Sequence, residues 1–249
     1  MHKRTELVFQ LVLREIAQRT RGTLLGAVWL ILQPLLQVIS YWFLLDVVLR
    51  VKMPGTTPYA SYFLVAMLPW LLIQDALLRS LSIFQDYAPL YLKTIFPTGL
   101  LPLIPVVLAT LIYGPVYLLI GGMLSSDWLT PLKLLPYLIG LGVWLLPGCY
   151  LLAILSVYLR EIAQIFPFLL TMLLYVTPIL YPMDAVPALV RGILGWNVLS
   201  DWIQAAEWLV FGSAVTLDNF WRPWLFWLFL LPLSGYVFKR LEIDLREAL

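Results

Sequence analysis

The chain has 249 residues, a formal net charge of +2, a hydrophobic share of 62% and a mean hydropathy of +0.91. Soluble domains are about 45–50% apolar, so a soluble core could not hide this much apolar surface, and a multi-span membrane protein is expected. The small charge argues against nucleic acid, and a single cysteine and a single histidine argue against a disulfide or a Cys- or His-based metal site.

Thr5 to Arg19 reads as an amphipathic helix. Glu6, Gln10, Arg14 and Gln18 recur every fourth residue as a polar stripe, opposite Val8, Phe9, Val12, Leu13 and Ile16. Such a helix lies along a membrane surface, as an anchor or as a docking face for a partner. Leu7 to Leu13 resembles the apolar part of a signal peptide, but Arg14 and Glu15 cut it short and no small-residue cleavage site follows.

Six spans are predicted: 23–49, 59–83, 100–122, 134–157, 163–182 and 221–239, after a surface helix over 1–22. An even number puts both termini on one side. That side then carries Lys3, Arg4, Arg14, Arg19, Arg21, Lys93, Arg160, Lys239, Arg240 and Arg246. The other carries Arg50, Lys52, Lys133, Arg191 and Arg222, so the termini are expected in the cytoplasm. The segment 183–220 holds two apolar pieces too short to cross, Ala188 to Leu194 and Trp202 to Phe211. They are expected to lie in the outer interface, or to dip inward where protein covers their backbone. The expected fold class is an all-α integral membrane protein.

Polar residues inside the spans carry the functional reading. Gln33, Gln37, Ser40 and Tyr41 share a face of the first span, with Trp29 one turn before. Amides facing lipid are costly, so this face meets protein or lines a polar path. Asp75 and Arg79 stand at i,i+4 and are expected to pair. Tyr113 and Tyr117 have the same spacing, as do Gly140, Trp144 and Gly148. Pro34, Pro69, Pro147, Pro167 and Pro178 are expected to kink their spans. No phosphate-binding loop, H-E-x-x-H or D-x-D motif is present, so any ATP is expected to be hydrolysed on another polypeptide.

Six motifs in order carry a family resemblance. "REIAQRTRGTLLGAVWLILQPLL" places Arg14, Glu15, Arg19, Thr20, Thr23, Leu25, Gly26, Trp29 and Pro34. "MLPW" covers Met67 to Trp70, and "LKTIFPTGLLPL" places Lys93, Phe96, Pro97 and Pro102. "YLREI" gives Tyr158, Arg160 and Glu161, "TPILYP" runs from Thr177 to Pro182, and "FKRLEIDLREAL" closes the chain. Together they resemble the membrane subunit of ABC-2 type exporters, in the branch that exports O-antigen, capsule or teichoic acid. One place departs: where the family reads Y-N-P-[LM] with an arginine about ten residues on, this chain has Trp196, Asn197, Val198 and Leu199, then Glu207 without that arginine.

The resemblance implies a homodimer with two copies of a separate ATPase that holds ATP and Mg, in a bacterial cytoplasmic (inner) membrane. It implies no cofactor on this chain and a polyisoprenyl-diphosphate-linked glycan as substrate. On that reading Gln33, Gln37, Ser40, Tyr41, Tyr113 and Tyr117 line the glycan path. Arg14, Arg19 and Arg21 attract the lipid diphosphate at the entrance. Glu6, Gln10, Lys93, Arg160 and Glu161 contact the ATPase. An exporter of lipid or drug is the nearest alternative. A membrane-embedded transferase lacks a visible acid–base or metal set. A secondary transporter would show an inverted repeat of spans, which is not visible.

Overall fold

A computed structural model describes residues 2–51, 58–93, 96–183, 186–212, 220–242 and 245, and the described residues are helical throughout apart from turns. The first helix, α1, covers His2–Thr20. Gly22 and Gly26 then take φ of +76° and +54°, a left-handed conformation that glycine adopts freely. They turn the chain from α1 through a short 3₁₀ turn into α2, Trp29–Trp42. α2 runs on without a break as a π-helical stretch, Phe43–Val48.

α3, Tyr59–Ser80, is the central helix. It packs against α5 (Leu103–Leu124), α6 (Thr130–Tyr158) and α9 (Val198–Phe211), with α2 and α7 (Arg160–Val176) on its flank. Phe63, Met67, Trp70, Leu72 and Ile73 on α3 are fully enclosed. α2 buries only Val38 and leaves Ile31, Leu35, Leu36 and Ile39 exposed.

Among the described residues four helical stretches are long and apolar enough to cross a membrane: Gly26–Val48, Tyr59–Ser80, Thr98–Leu124 and Thr130–Tyr158. The other two expected spans are helical but fall outside that group. α7 has 17 residues and opens on Arg160 and Glu161. α10, Trp221–Glu242, includes Arg222, Lys239, Arg240 and three tryptophans, which lower its hydropathy.

Several boundaries differ from the expected ones. The second span stops at Ser80, not at 83, and α4 (Ile83–Lys93) follows a two-residue break. The fifth stops at Val176, because the residue before Pro178 is pushed to extended backbone and Thr177 has ψ of 137°. The "TPILYP" segment beyond it is a turn rather than helix. Tyr62 donates to the carbonyls of Pro178 (2.7 Å) and Tyr181 (2.8 Å), and Tyr59 to that of Leu180 (3.0 Å).

Two short helices fall within 183–220: α8 is Ala188–Leu194, and α9 begins at Val198. α9 is too short to cross, yet Trp202, Ile203 and Ala206 are fully buried against neighbouring helices, so protein covers its backbone. Asn197, one of two positions that keep the family motif, caps α9 through the Leu199 N–H (3.0 Å) and donates to Thr177 Oγ1 (2.8 Å).

Close packing at the small residues has specific partners. A Cβ at Gly121 would fall 2.5 Å from Leu134 Cδ1, so the Leu134 side chain of α6 packs directly on the α5 backbone there. At Gly140 a Cβ would meet the Trp202 ring at 3.4 Å, and Trp144 donates from Nε1 to the Pro223 carbonyl at 2.8 Å. Gly140 and Trp144 therefore receive the tryptophans of α9 and α10, Trp202 and Trp224, whereas Gly148 faces Leu77 of α3.

At the start of α5, three of the motif segments are tied together. Tyr150 donates to the Gly99 carbonyl (2.5 Å), Tyr158 to that of Leu241 (2.6 Å), and Thr98 Oγ1 to Glu242. At the other end of α5, Asp127 holds the turn into α6. Its carboxyl lies below the usual carboxylate range, mainly because Lys133 bonds it at 2.6 Å and then because the Leu129 N–H does.

Candidate functional site: a charged vestibule and a glutamine-lined pocket

The C-terminal end of α3 meets α1 and α4 in a network of charges. Glu15 on α1 is 1% exposed. It accepts two bonds from Arg79, Nε at 2.5 Å and Nη2 at 3.0 Å, and one from the Tyr87 hydroxyl at 3.1 Å. Arg79 also donates to Ser82 Oγ (2.6 Å) and to Asp86. Arg19 lies 3.5 Å from Glu15 and donates from Nη1 to both oxygens of Asp75, each at 3.1 Å. Burial, and next the Glu15 carboxylate, push the Tyr87 phenol well above its ordinary value, so it stays a neutral donor.

The pairing expected between Asp75 and Arg79 is therefore corrected. Each takes a partner from α1, because the helix docks with its last turn across the end of α3. The same docking redraws the apolar stripe of α1. Leu11 and Val12 are buried with Glu15, while Phe9 (61%) and Leu13 (49%) stay exposed. Glu15 was not among the expected site residues, although its pentapeptide REIAQ, 14–18, recurs at 160–164.

Two cavities meet at this network. The first, a charged vestibule of about 570 Å³, is lined by Glu15, Gln18, Arg19, Asp75, Arg79 and Asp86. The second, about 330 Å³, is lined by Arg19, Asp75, Trp29, Gln33, Gln37 and Tyr113. Arg19 and Asp75 belong to both.

The expected path residues separate into three groups. Gln33, Gln37 and Tyr113 converge on the second cavity. Tyr41 is half-buried against Phe63 (ring centroids 6.4 Å) and neighbours Tyr175, while the Ser40 hydroxyl donates to its own helix at the Leu36 carbonyl. Tyr117 is in the core, 1% exposed, with its ring 5.9 Å from Tyr137 and no hydrogen-bond partner for its hydroxyl among the described residues. Four residues of helix advance about 400°, so Tyr113 and Tyr117 point about 40° apart. That offset carries one toward α2 and the other into the α5–α6–α9 core.

Of the three arginines expected at the entrance, Arg14 and Arg21 are exposed, with the Arg14 guanidinium 5.3 Å from the centre of the Tyr87 ring, whereas Arg19 is engaged by two carboxylates. Glu6, Gln10, Arg160 and Glu161 are all exposed. Lys93 closes α4, and its side chain lies outside the described residues.

A further polar face went unread in the sequence. On α7, Gln164, Phe168, Thr171 and Tyr175 are exposed at helical spacing, opposite the buried Leu170 and Leu174. The signal was available, because a glutamine and a threonine in an apolar span call for the same argument as the glutamines of α2.

These features define an all-helical integral membrane protein whose charged vestibule leads to polar side chains at span depth. The chain belongs to the family of O-antigen export system permeases, as its motifs implied. It is 31% identical to the O-antigen export system permease protein RfbA of Myxococcus xanthus over 184 residues, 72% of this chain and 70% of that one. Two proteins of the same name from Klebsiella pneumoniae are 26% and 25% identical, each over 80% of this chain and 77% of its own length. No family model matches the sequence.

Proposed function

We propose that this chain is the membrane subunit of an ATP-driven exporter that moves a lipid-linked polysaccharide across the bacterial cytoplasmic membrane. Six spans keep both termini in the cytoplasm, where the positive charges concentrate. Two copies work with two copies of a separate ATPase, which supplies ATP and Mg. Glu6, Gln10, Lys93, Arg160 and Glu161 face it. Arg14 and Arg21, with Arg19 behind its carboxylates, receive the diphosphate.

The observation that carries this reading is polar side chains at span depth: exposed Gln33 and half-buried Gln37 of α2 on the second cavity, and Gln164, Thr171 and Tyr175 exposed on α7. Amides and hydroxyls at span depth belong against water or protein, not lipid. Two protomers facing each other across these helices would enclose a polar path. Amides and phenols suit a moving sugar chain, since their hydrogen bonds are individually weak and replaceable.

Solvent access tests the path. In a Cys149→Ser background, Gln37→Cys, Gln164→Cys and Thr171→Cys in lipid nanodiscs should react with a charged maleimide. Leu228→Cys, on the exposed apolar face of α10, should not. Equal, slow labelling at all four positions would contradict the path.

A further inference from the structure

Arg19 and Asp75 occupy a particular place: they line both cavities, so their ion pair stands where the charged vestibule meets the glutamine-lined pocket. Arg19 comes from the last turn of α1, just before the chain turns into α2, and Asp75 comes from α3. We propose that this ion pair is a latch across the entrance of the path, and that a diphosphate headgroup opens it by replacing Asp75 on the Arg19 guanidinium. The proposal rests on the export reading above and adds the event that admits the substrate.

The two carboxylates around Arg19 are not equally replaceable. Glu15 is 1% exposed and is held by two bonds from Arg79 and one from Tyr87. Asp75 is 23% exposed, and Arg19 is its one ion-pair partner among the described residues. Released from Arg19, Asp75 faces the open vestibule, where water can solvate it. Glu15 would be stranded in the protein, so it stays.

Arg19 presents its guanidinium to two carboxylate oxygens. Arg19 gives Asp75 only Nη1, whereas a phosphate brings more charge and oxygens that two guanidinium nitrogens can bond as a fork. Arg21, two residues on, is exposed. A neutral lipid has nothing to exchange for Asp75 and leaves the latch shut. Asp75 is thus a competitor for the site as well as a structural partner, and that makes the sign of its substitution informative.

The test uses the permease–ATPase complex in nanodiscs of zwitterionic lipid, titrated with polyprenyl diphosphate, with polyprenol and with inorganic diphosphate. Wild type should prefer the diphosphate lipid to polyprenol, and Arg19→Gln should lose that preference. Asp75→Asn should bind the diphosphate lipid about tenfold more tightly than wild type, as expected when a competing state that holds about nine-tenths of the population is removed. Inorganic diphosphate should gain by the same factor from a weaker starting affinity, and polyprenol should not respond. Asp75→Ser gives the same comparison if the asparagine variant does not assemble. Unchanged or weaker diphosphate binding in these variants, with wild-type preference intact, would overturn the latch and leave the export reading standing. A wild-type complex that hydrolyses ATP but shows no preference for diphosphate over polyprenol would overturn both.

Discussion

Arg79→Ala is expected to destabilise the protein by about 3–5 kcal/mol, the cost of removing one partner of a buried ion pair. The arginine is the main support of Glu15, whose carboxylate is almost wholly enclosed. Tyr87 at 3.1 Å and Arg19 at 3.5 Å cannot replace a forked bond at 2.5 and 3.0 Å. Arg79 also anchors the break between α3 and α4 through Ser82 and Asp86. Glu15→Ala combined with Arg79→Ala should be more stable than Arg79→Ala alone, because no buried carboxylate is left without its counter-ion. Arg79→Lys should fall between, since an ammonium lacks the planar fork. Unfolding of the purified protein in detergent measures all four. An Arg79→Ala variant within about 0.5 kcal/mol of wild type, the range of an ordinary surface substitution, would show that the network is not structural.

The second large effect separates two tyrosines that look alike in sequence. Tyr117→Ala should cost about 3–5 kcal/mol, as truncation of a fully buried aromatic does. Tyr117→Phe should cost little, because the hydroxyl it removes has no hydrogen-bond partner among the described residues. Tyr113 lines the polar cavity and is half-buried, so Tyr113→Ala should slow export with a smaller loss of stability. Unfolding and export measured on the same preparations separate these outcomes. A Tyr117→Phe variant as unstable as Tyr117→Ala would contradict the packing role.

What was legible in the sequence follows from the range of each signal. Apolar run length located the four long spans, and periodicity located α1, because both are properties of consecutive residues. Lipid intolerance of amides singled out Gln33 and Gln37, which do reach a polar cavity. Partner choice was not legible. The i,i+4 spacing of Asp75 and Arg79 described what could pair within one helix, but both partners lie on α1, more than fifty residues away in sequence. The spacing of Tyr113 and Tyr117 likewise described one helix, while which neighbour covers each turn decided that Tyr117 is core. The "TPILYP" motif read as part of a span because it is apolar. Its extended turn depends on Pro178 and on hydroxyls that Tyr59 and Tyr62 bring from α3.

Reconstitution into sealed vesicles tests the central claim most directly. The permease and its ATPase would be placed together in a bilayer with polyisoprenyl-diphosphate-linked polysaccharide on the ATPase side. The account predicts that the glycan becomes accessible on the opposite side only when both proteins and hydrolysable ATP are present. Transfer by the permease alone without ATP, or ATP-dependent transfer of apolar drugs but never of the glycan, would contradict it.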